Sequence, residues 1–165
     1  MFKITLIFPS LFVSFLFNQV CPPSDTLSIN IEQNNWDIEN INSWDELEIM
    51  TWNIENFPKT VNSFNDVYEI VTDLKPDIIN FQEIAWDNNS YILDDLIDIL
   101  PAYGFISLDD NDFYGLVIAY RKDSIELIEY STLFSNYSYE FAWRLPLSAK
   151  FIWTCGNSFL NFEMI

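Results

Sequence analysis

The sequence predicts a layered α/β or α+β sandwich, on three observations. A strand–helix–strand unit lies between Leu47 and Phe81. The chain after Gly115 reads as strands joined by short turns. Half of the 165 residues are hydrophobic and 18% are aromatic, which suits one domain with a real core and argues against disorder. One α/β unit followed by a β-meander is the pattern of such a layered fold.

Taken in order, Leu47 to Ile54 reads as a strand. From Ser63 to Leu74, Phe64, Val67, Ile70, Val71 and Leu74 recur at helical spacing. Asn62 or Ser63 can cap this helix. Pro76 stops it, because proline has no amide hydrogen to donate. Ile78 to Phe81 is a nearly continuous apolar run, as a strand buried on both faces requires. A helix between two strands makes them parallel neighbours. Ser90 to Leu100 is a second helix, with Ile92, Leu93, Leu96, Ile97 and Leu100 on its buried side. Ala102 to Ser107 is a short strand and Gly115 to Arg121 a longer one. Lys122-Asp123 turns the chain into Ile125 to Phe134, and Tyr139 to Ile152 is strand-like, interrupted near Pro146. Only three glycines are present, so Asn, Asp and Pro must do much of the turn work.

The first twenty residues read as an address. Lys3 precedes an apolar stretch from Ile4 to Phe17 that is short for a membrane span, so residues 1–20 are expected to be a signal peptide. The destination is then extracellular or periplasmic. Cys21 offers a lipoprotein anchor, although Asn18-Gln19-Val20 is a poor approach to one. Residues 21–46, rich in Asn, Asp and Glu, read as a linker or lead-in, and residues 47–165 as the domain. Cys21 and Cys155 can pair, but their spacing does not demand it.

The net charge is -18, with 25 acids against 7 bases. No basic groove for a nucleic-acid backbone is visible, and solubility is the plain reading of the acids. An enzyme that meets phosphate through a bound cation is not excluded, because the ion inverts the local field.

The chemistry concentrates in Met50-Thr51-Trp52-Asn53-Ile54-Glu55-Asn56 and Pro76-Asp77-Ile78-Ile79-Asn80-Phe81-Gln82-Glu83. Each is a strand-like run ending on oxygen-bearing side chains. By alternation Asn53 and Glu55 face one way, and Glu83 ends the next parallel strand. An amide oxygen with one or two carboxylates is a suitable partial shell for Mg2+, which keeps several waters and a phosphate oxygen. On spacing alone, strand-end capping by Asn53 and Glu83, with bonds to loop backbone, is the favoured reading.

These two segments resemble the opening of the endonuclease/exonuclease/phosphatase superfamily, whose fold is the four-layered α/β sandwich of the deoxyribonuclease I type. Two later segments are similar too: Gly115-Leu116-Val117-Ile118-Ala119-Tyr120-Arg121 to its central strand, and Phe141-Ala142-Trp143-Arg144-Leu145-Pro146-Leu147 to its Arg-x-Pro segment. The resemblance covers about residues 47–152. It implies a Mg2+-dependent phosphoesterase (Mn2+ or Ca2+ are alternatives) in which Asn53 and Glu83 serve the metal. Glu55 stands where some members carry a further metal-site acid, and Arg144 where the family contacts the scissile phosphate. The implied partner is a phosphate ester, with nucleic acid and phospholipid headgroups among the candidates. No protein partner is inferable.

The family's later motifs, Asn-x-His, Gly-Asp-x-Asn and Ser-Asp-His, do not occur in the sequence, which contains no histidine. No imidazole can move a proton at neutral pH. The expectation is an N-terminal fragment of the fold, inactive alone. The alternative is a non-catalytic secreted remnant or pseudoenzyme acting as a binding protein. A weaker reading is an unrelated acidic, β-rich surface protein. Half a sandwich is also expected to leave one sheet without its partner and to strip cover from Trp86, Phe105, Tyr114, Trp143 and Trp153.

Overall fold

The structure is a computed structural model that describes residues 4–8, 11–14, 45–85, 91–107, 114–141 and 145–165, with backbone alone for 4–8, 11–14, Tyr91 and Tyr114. Strands β1 (Ile4–Phe8) and β2 (Leu11–Ser14) come first, then β3 (Leu47–Phe57), helix α1 (Ser63–Leu74), β4 (Ile78–Ala85) and helix α2 (Tyr91–Ile99). They are followed by β5 (Tyr103–Ser107), β6 (Tyr114–Arg121), β7 (Ile125–Thr132), β8 (Leu147–Cys155) and β9 (Ser158–Met164). A single 3-10 turn at Ser135–Tyr137 lies between β7 and β8.

Two sheets result. The larger has strand order β2-β1-β3-β4-β6-β5, and the smaller is β7-β8-β9. β3 and β4 pair in parallel, with Ile49 opposite Ile78 and Asn53 opposite Gln82, as the helix between them dictates. β4 pairs with β6 antiparallel. The segment read as an export signal supplies β1 and β2, and β1 lies parallel to β3 with Ile4 opposite Leu47. A short uninterrupted apolar run satisfies both a signal and a strand, so its composition does not separate them. The lead-in before residue 45 lies outside the described residues.

Two apolar layers hold the fold. Between the sheets, Leu47, Ile49, Ile78, Ile106 and Ile118 meet Ile125, Leu147, Ala149, Phe151 and Trp153. On the other face of the larger sheet, Val67, Val71, Leu96 and Leu100 from the helical region cover Met50, Ile79, Phe81, Val117 and Ala119. The order is therefore helices, sheet, sheet. Among the described residues no helix covers the outside of the smaller sheet, where Phe159 is exposed. The expected loss of cover fails at Trp153, which is only 2% exposed, because both sheets are present and face each other. Trp86 and Trp143 lie outside the described residues.

α1 spans the residues expected of it, but its cap differs. Asn62 takes helical angles and makes no side-chain cap bond. The Ser63 hydroxyl instead accepts the amide hydrogens of Lys59 and Thr60 at 3.1 and 2.9 Å. The helix ends at Lys75, whose left-handed φ of 50° returns its amide to the Val71 carbonyl just before Pro76. The expected strand from Tyr139 also differs. Residues 138–141 turn, and β8 begins only at Leu147. Pro146 has no amide for a ladder, and its carbonyl accepts the Leu133 amide at 2.8 Å, closing the loop.

Asp77 joins the two sheets at one end of the sandwich. Its carboxylate accepts the Glu48 amide (3.0 Å) and the Ser124 hydroxyl (2.9 Å), with the Arg121 guanidinium 3.8 Å away. The Ser124 carbonyl in turn accepts the Thr154 amide from β8 at 2.9 Å. Burial is the largest influence on this carboxyl and raises its pKa to about 6, against the pull of those donors and of Arg121. β7 starts beside this junction and runs toward the opposite end. β8 therefore starts at that opposite end, where β3 and β4 finish.

Candidate metal and phosphate site

β3 and β4 both lose their regular pairing at that opposite end, and at the same level. Along β3, four steps from Asn53 to Phe57 match two steps of β4, from Gln82 to Ile84. Along β4, three steps from Phe81 to Ile84 match two of β6, from Val117 to Gly115. Extra residues in one strand make a bulge, which bends the strand and re-aims side chains. The backbone records this. Glu55, Asn56 and Glu83 have φ of 43°, 57° and 62°, a left-handed region costly for residues with a Cβ. Among the described residues only Lys75 and Phe134 share it without being glycine.

The bulges decide which side chains gather. Trp52 and Phe81 pack on the helix-covered face, their rings 6.0 Å apart. Asn53, one residue on, belongs to the opposite face, toward the smaller sheet. Phe81 and Ile84 both return to the helix-covered core, so the extra residue lets Gln82 and Glu83 share the other side. The Gln82 amide donates to the Thr51 hydroxyl at 3.1 Å, which fixes Gln82 there. Asn53 and Glu83 thus lie at the same end of the neighbouring strands β3 and β4. The simple alternation that put Glu55 on the same face as Asn53 does not survive, because the bulge breaks the count between them.

The side chains have local partners. The Asn53 side-chain oxygen accepts the Glu55 amide at 3.0 Å, so part of the strand-end capping role is realised. A carbonyl oxygen has a second lone pair, so this does not exhaust Asn53 as a ligand. Glu55 meets the Lys59 ammonium at 2.8 Å, and that hydrogen bond and charge lower the Glu55 pKa. Glu83 is half-buried. The donor set of amide and carboxylate oxygens suits a hard cation that retains water. It is incomplete, since no three Asp, Glu, Cys or His among the described residues group closely enough to hold a metal.

Arg144 lies outside the described residues. The chain on its far side is described: Leu145 is buried and Leu147 opens β8 at the Asn53 end of the sandwich. Lys59 was missed by the sequence reading. A signal existed, because it is the only Lys or Arg between Met50 and Leu74.

No family model and no curated protein matches the sequence. Solved structures do match. The endonuclease/exonuclease/phosphatase from Bacteroides vulgatus is 23% identical with a TM-score of 0.51, over 68% of this chain and 48% of its own. TDP2 from D. rerio carrying 14 humanizing mutations is 19% identical with a TM-score of 0.52, over 70% of this chain and 44% of its own. D. rerio TDP2 complexed with single strand DNA product matches at 20% identity and TM-score 0.52, over 70% and 43%.

The chain has the endonuclease/exonuclease/phosphatase fold. It spans under half the length of these structures. At such identities the likeness fixes the fold of the endonuclease/exonuclease/phosphatase proteins and leaves the role of each residue to the geometry.

Proposed function

We propose that this chain is the metal-binding portion of an exported, divalent-cation-dependent phosphoesterase. Asn53 and Glu83 are its metal donors and Arg144 the phosphate contact, while Glu55 pairs with Lys59. The observation that carries the reading is the coincidence of two bulges at the carboxyl ends of adjacent parallel strands. Three non-glycine residues sit there at positive φ. Strained backbone of this kind persists where the surroundings over-determine it, and it clusters at functional sites. A bound Mg2+ would supply charge to a phosphate oxygen and order a water. The chain's own part is to hold oxygen donors at the mouth of the inter-sheet layer.

Cys155 is buried and disulfide-bonded, which supports an oxidising, extracytoplasmic destination. The substrate class is a phosphate ester. A complex of TDP2 with single strand DNA product makes nucleic acid one candidate, while the net charge of -18 argues against a long backbone-tracking groove. Phospholipid headgroups are the other candidate.

The absence of histidine favours a second reading for the 165-residue polypeptide, a non-catalytic binding protein. Two assays separate the possibilities. Mn2+ should broaden NMR signals of residues 53–56 and 82–84 before those of the Asp77 end. Bis-p-nitrophenyl phosphate should remain uncleaved with Mg2+ present. Uniform broadening removes the metal site, and metal-dependent cleavage removes the claim of inactivity.

A further inference from the structure

Among the described residues ten large hydrophobic side chains are exposed, and five of them fall between residues 130 and 141: Tyr130, Phe134, Tyr137, Tyr139 and Phe141. Tyr130 lies near the end of β7, and the other four follow it in the loop toward β8. Tyr139 is 80% exposed, so core packing does not account for it. An aromatic side chain offers ~200 Å2 for burial, so the five leave roughly 550 Å2 of ring surface in water. An apolar patch of that size on a soluble protein marks an interaction surface.

The loop holds its rings in place. The Leu133 amide on the Pro146 carbonyl closes its root at 2.8 Å. Inside it the Tyr137 amide donates to the Phe134 carbonyl at 2.7 Å. The Tyr137 carbonyl in turn accepts the Glu140 and Phe141 amides at 3.1 and 3.4 Å. Phe134 has a φ of 57°, a left-handed backbone rare for a bulky residue. Its ring stacks on that of Phe141, with centres 5.4 Å apart and planes 16° from parallel. Strained backbone that sets one exposed ring on another is organised for contact in advance, so binding costs less ordering.

Charge and area indicate the occupant. Residues 130–139 carry no Asp, Glu, Lys or Arg, in a chain of net charge -18. The acid before them, Glu129, pairs with Lys150, and Glu140 follows them. Two copies of this chain repel where their acids meet, and this run brings none together. A dimer takes ~800 Å2 from each partner at ~65% apolar, or roughly 520 Å2 of apolar surface, which the five rings supply. Ser135, Asn136 and Ser138 add uncharged hydrogen-bonding groups between the rings, the mixture that recognition loops use.

We propose that residues 130–141 form a self-association surface, on which a second copy of this chain docks loop against loop about a two-fold axis. The contact is isologous, the same rings serving both copies. It forms once salt screens the acids around it.

The test is sedimentation velocity of the full chain over a range of protein concentrations, at ~0.1 M and ~1 M NaCl. At the higher salt the unaltered chain should pass from monomer to a discrete dimer, and NMR signals of residues 130–141 should shift with it. Tyr137→Ser combined with Tyr139→Ser should weaken the dimer at least ~tenfold with an unchanged melting transition. Tyr137→Phe combined with Tyr139→Phe should retain it. Ile97→Ser, which removes an exposed apolar side chain from α2, should also retain it. A chain that stays monomeric, a dimer that survives the double serine variant, or shifts confined to other residues overturns the proposal. Binding of the monomer to phosphatidylcholine vesicles through the same tyrosines assigns the loop to a lipid surface and overturns it as well.

Discussion

Asp77 shows how one residue can serve structure and still set a pH response. Its carboxyl is buried, yet it receives the Glu48 amide and the Ser124 hydroxyl and lies near Arg121. Burial outweighs those partners and raises its pKa from 3.8 to about 6. The folded chain therefore holds this proton more tightly than the unfolded chain. The contribution is fully present below about pH 4 and is lost as pH rises to about 6. A displacement of this size is worth ~3 kcal/mol. Urea denaturation of Asp77→Asn should lack most of that slope, because asparagine keeps an acceptor for Glu48 without titrating. An unchanged slope would remove Asp77 as its source. Asp77→Ala should be worse at every pH by ~1–3 kcal/mol, since the buried Glu48 amide loses its acceptor. The sequence showed Asp77 only as part of a motif, because its partners Glu48 and Ser124 are 29 and 47 residues away.

At the scale of elements, periodicity was legible and its interruptions were not. α1 could be read to the residue because five apolar positions recur at helical spacing and Pro76 follows. The parallel pairing of β3 and β4 followed from the helix between them. The bulges that shape the site left no such trace. Alternation assumes one residue per step, and the extra residues at Glu55, Asn56 and Glu83 are neither glycine nor proline. The expected strand at Tyr139 failed for a related reason: aromatic composition favoured a strand, while Pro146 and its carbonyl closed a loop. The strain at β4 has a measurable consequence. Glu83→Gly should be neutral to ~1 kcal/mol more stable, because glycine adopts positive φ without a Cβ penalty but gains entropy when unfolded. The same change should abolish metal binding. Clear destabilisation in chemical denaturation would show that Glu83 is held by its side chain and not strained. Ser63→Ala should cost ~1 kcal/mol, as two amides of the preceding loop lose their acceptor.

The molecule as a whole is a sandwich with helices on one side only among the described residues. The smaller sheet carries exposed apolar side chains, Phe159 on its outer face among them, while the net charge of -18 keeps copies apart. These two features oppose each other, and salt decides between them, since the screening length falls from ~10 Å at ~0.1 M to ~3 Å at ~1 M. Sedimentation velocity should show monomer at low salt and growing association at high salt. A monomer throughout would mean that the exposed face is not adhesive. The fold class was legible because four segments occur in family order. The cover of Trp153 was not, since it depends on how β7, β8 and β9 pair.

The central claim is that the bulged ends of β3 and β4 hold a divalent cation. Isothermal titration of the unaltered chain with Mg2+, repeated on Glu83→Ala and on Asp73→Ala, tests it most directly. Asp73→Ala removes one acid from α1 away from the strand ends and should titrate like the unaltered chain. Glu83→Ala should bind at least ~tenfold more weakly, a loss of ~1.4 kcal/mol or more, with an unchanged melting transition. The same heats from all three proteins, or equal weakening by both substitutions, would contradict the site.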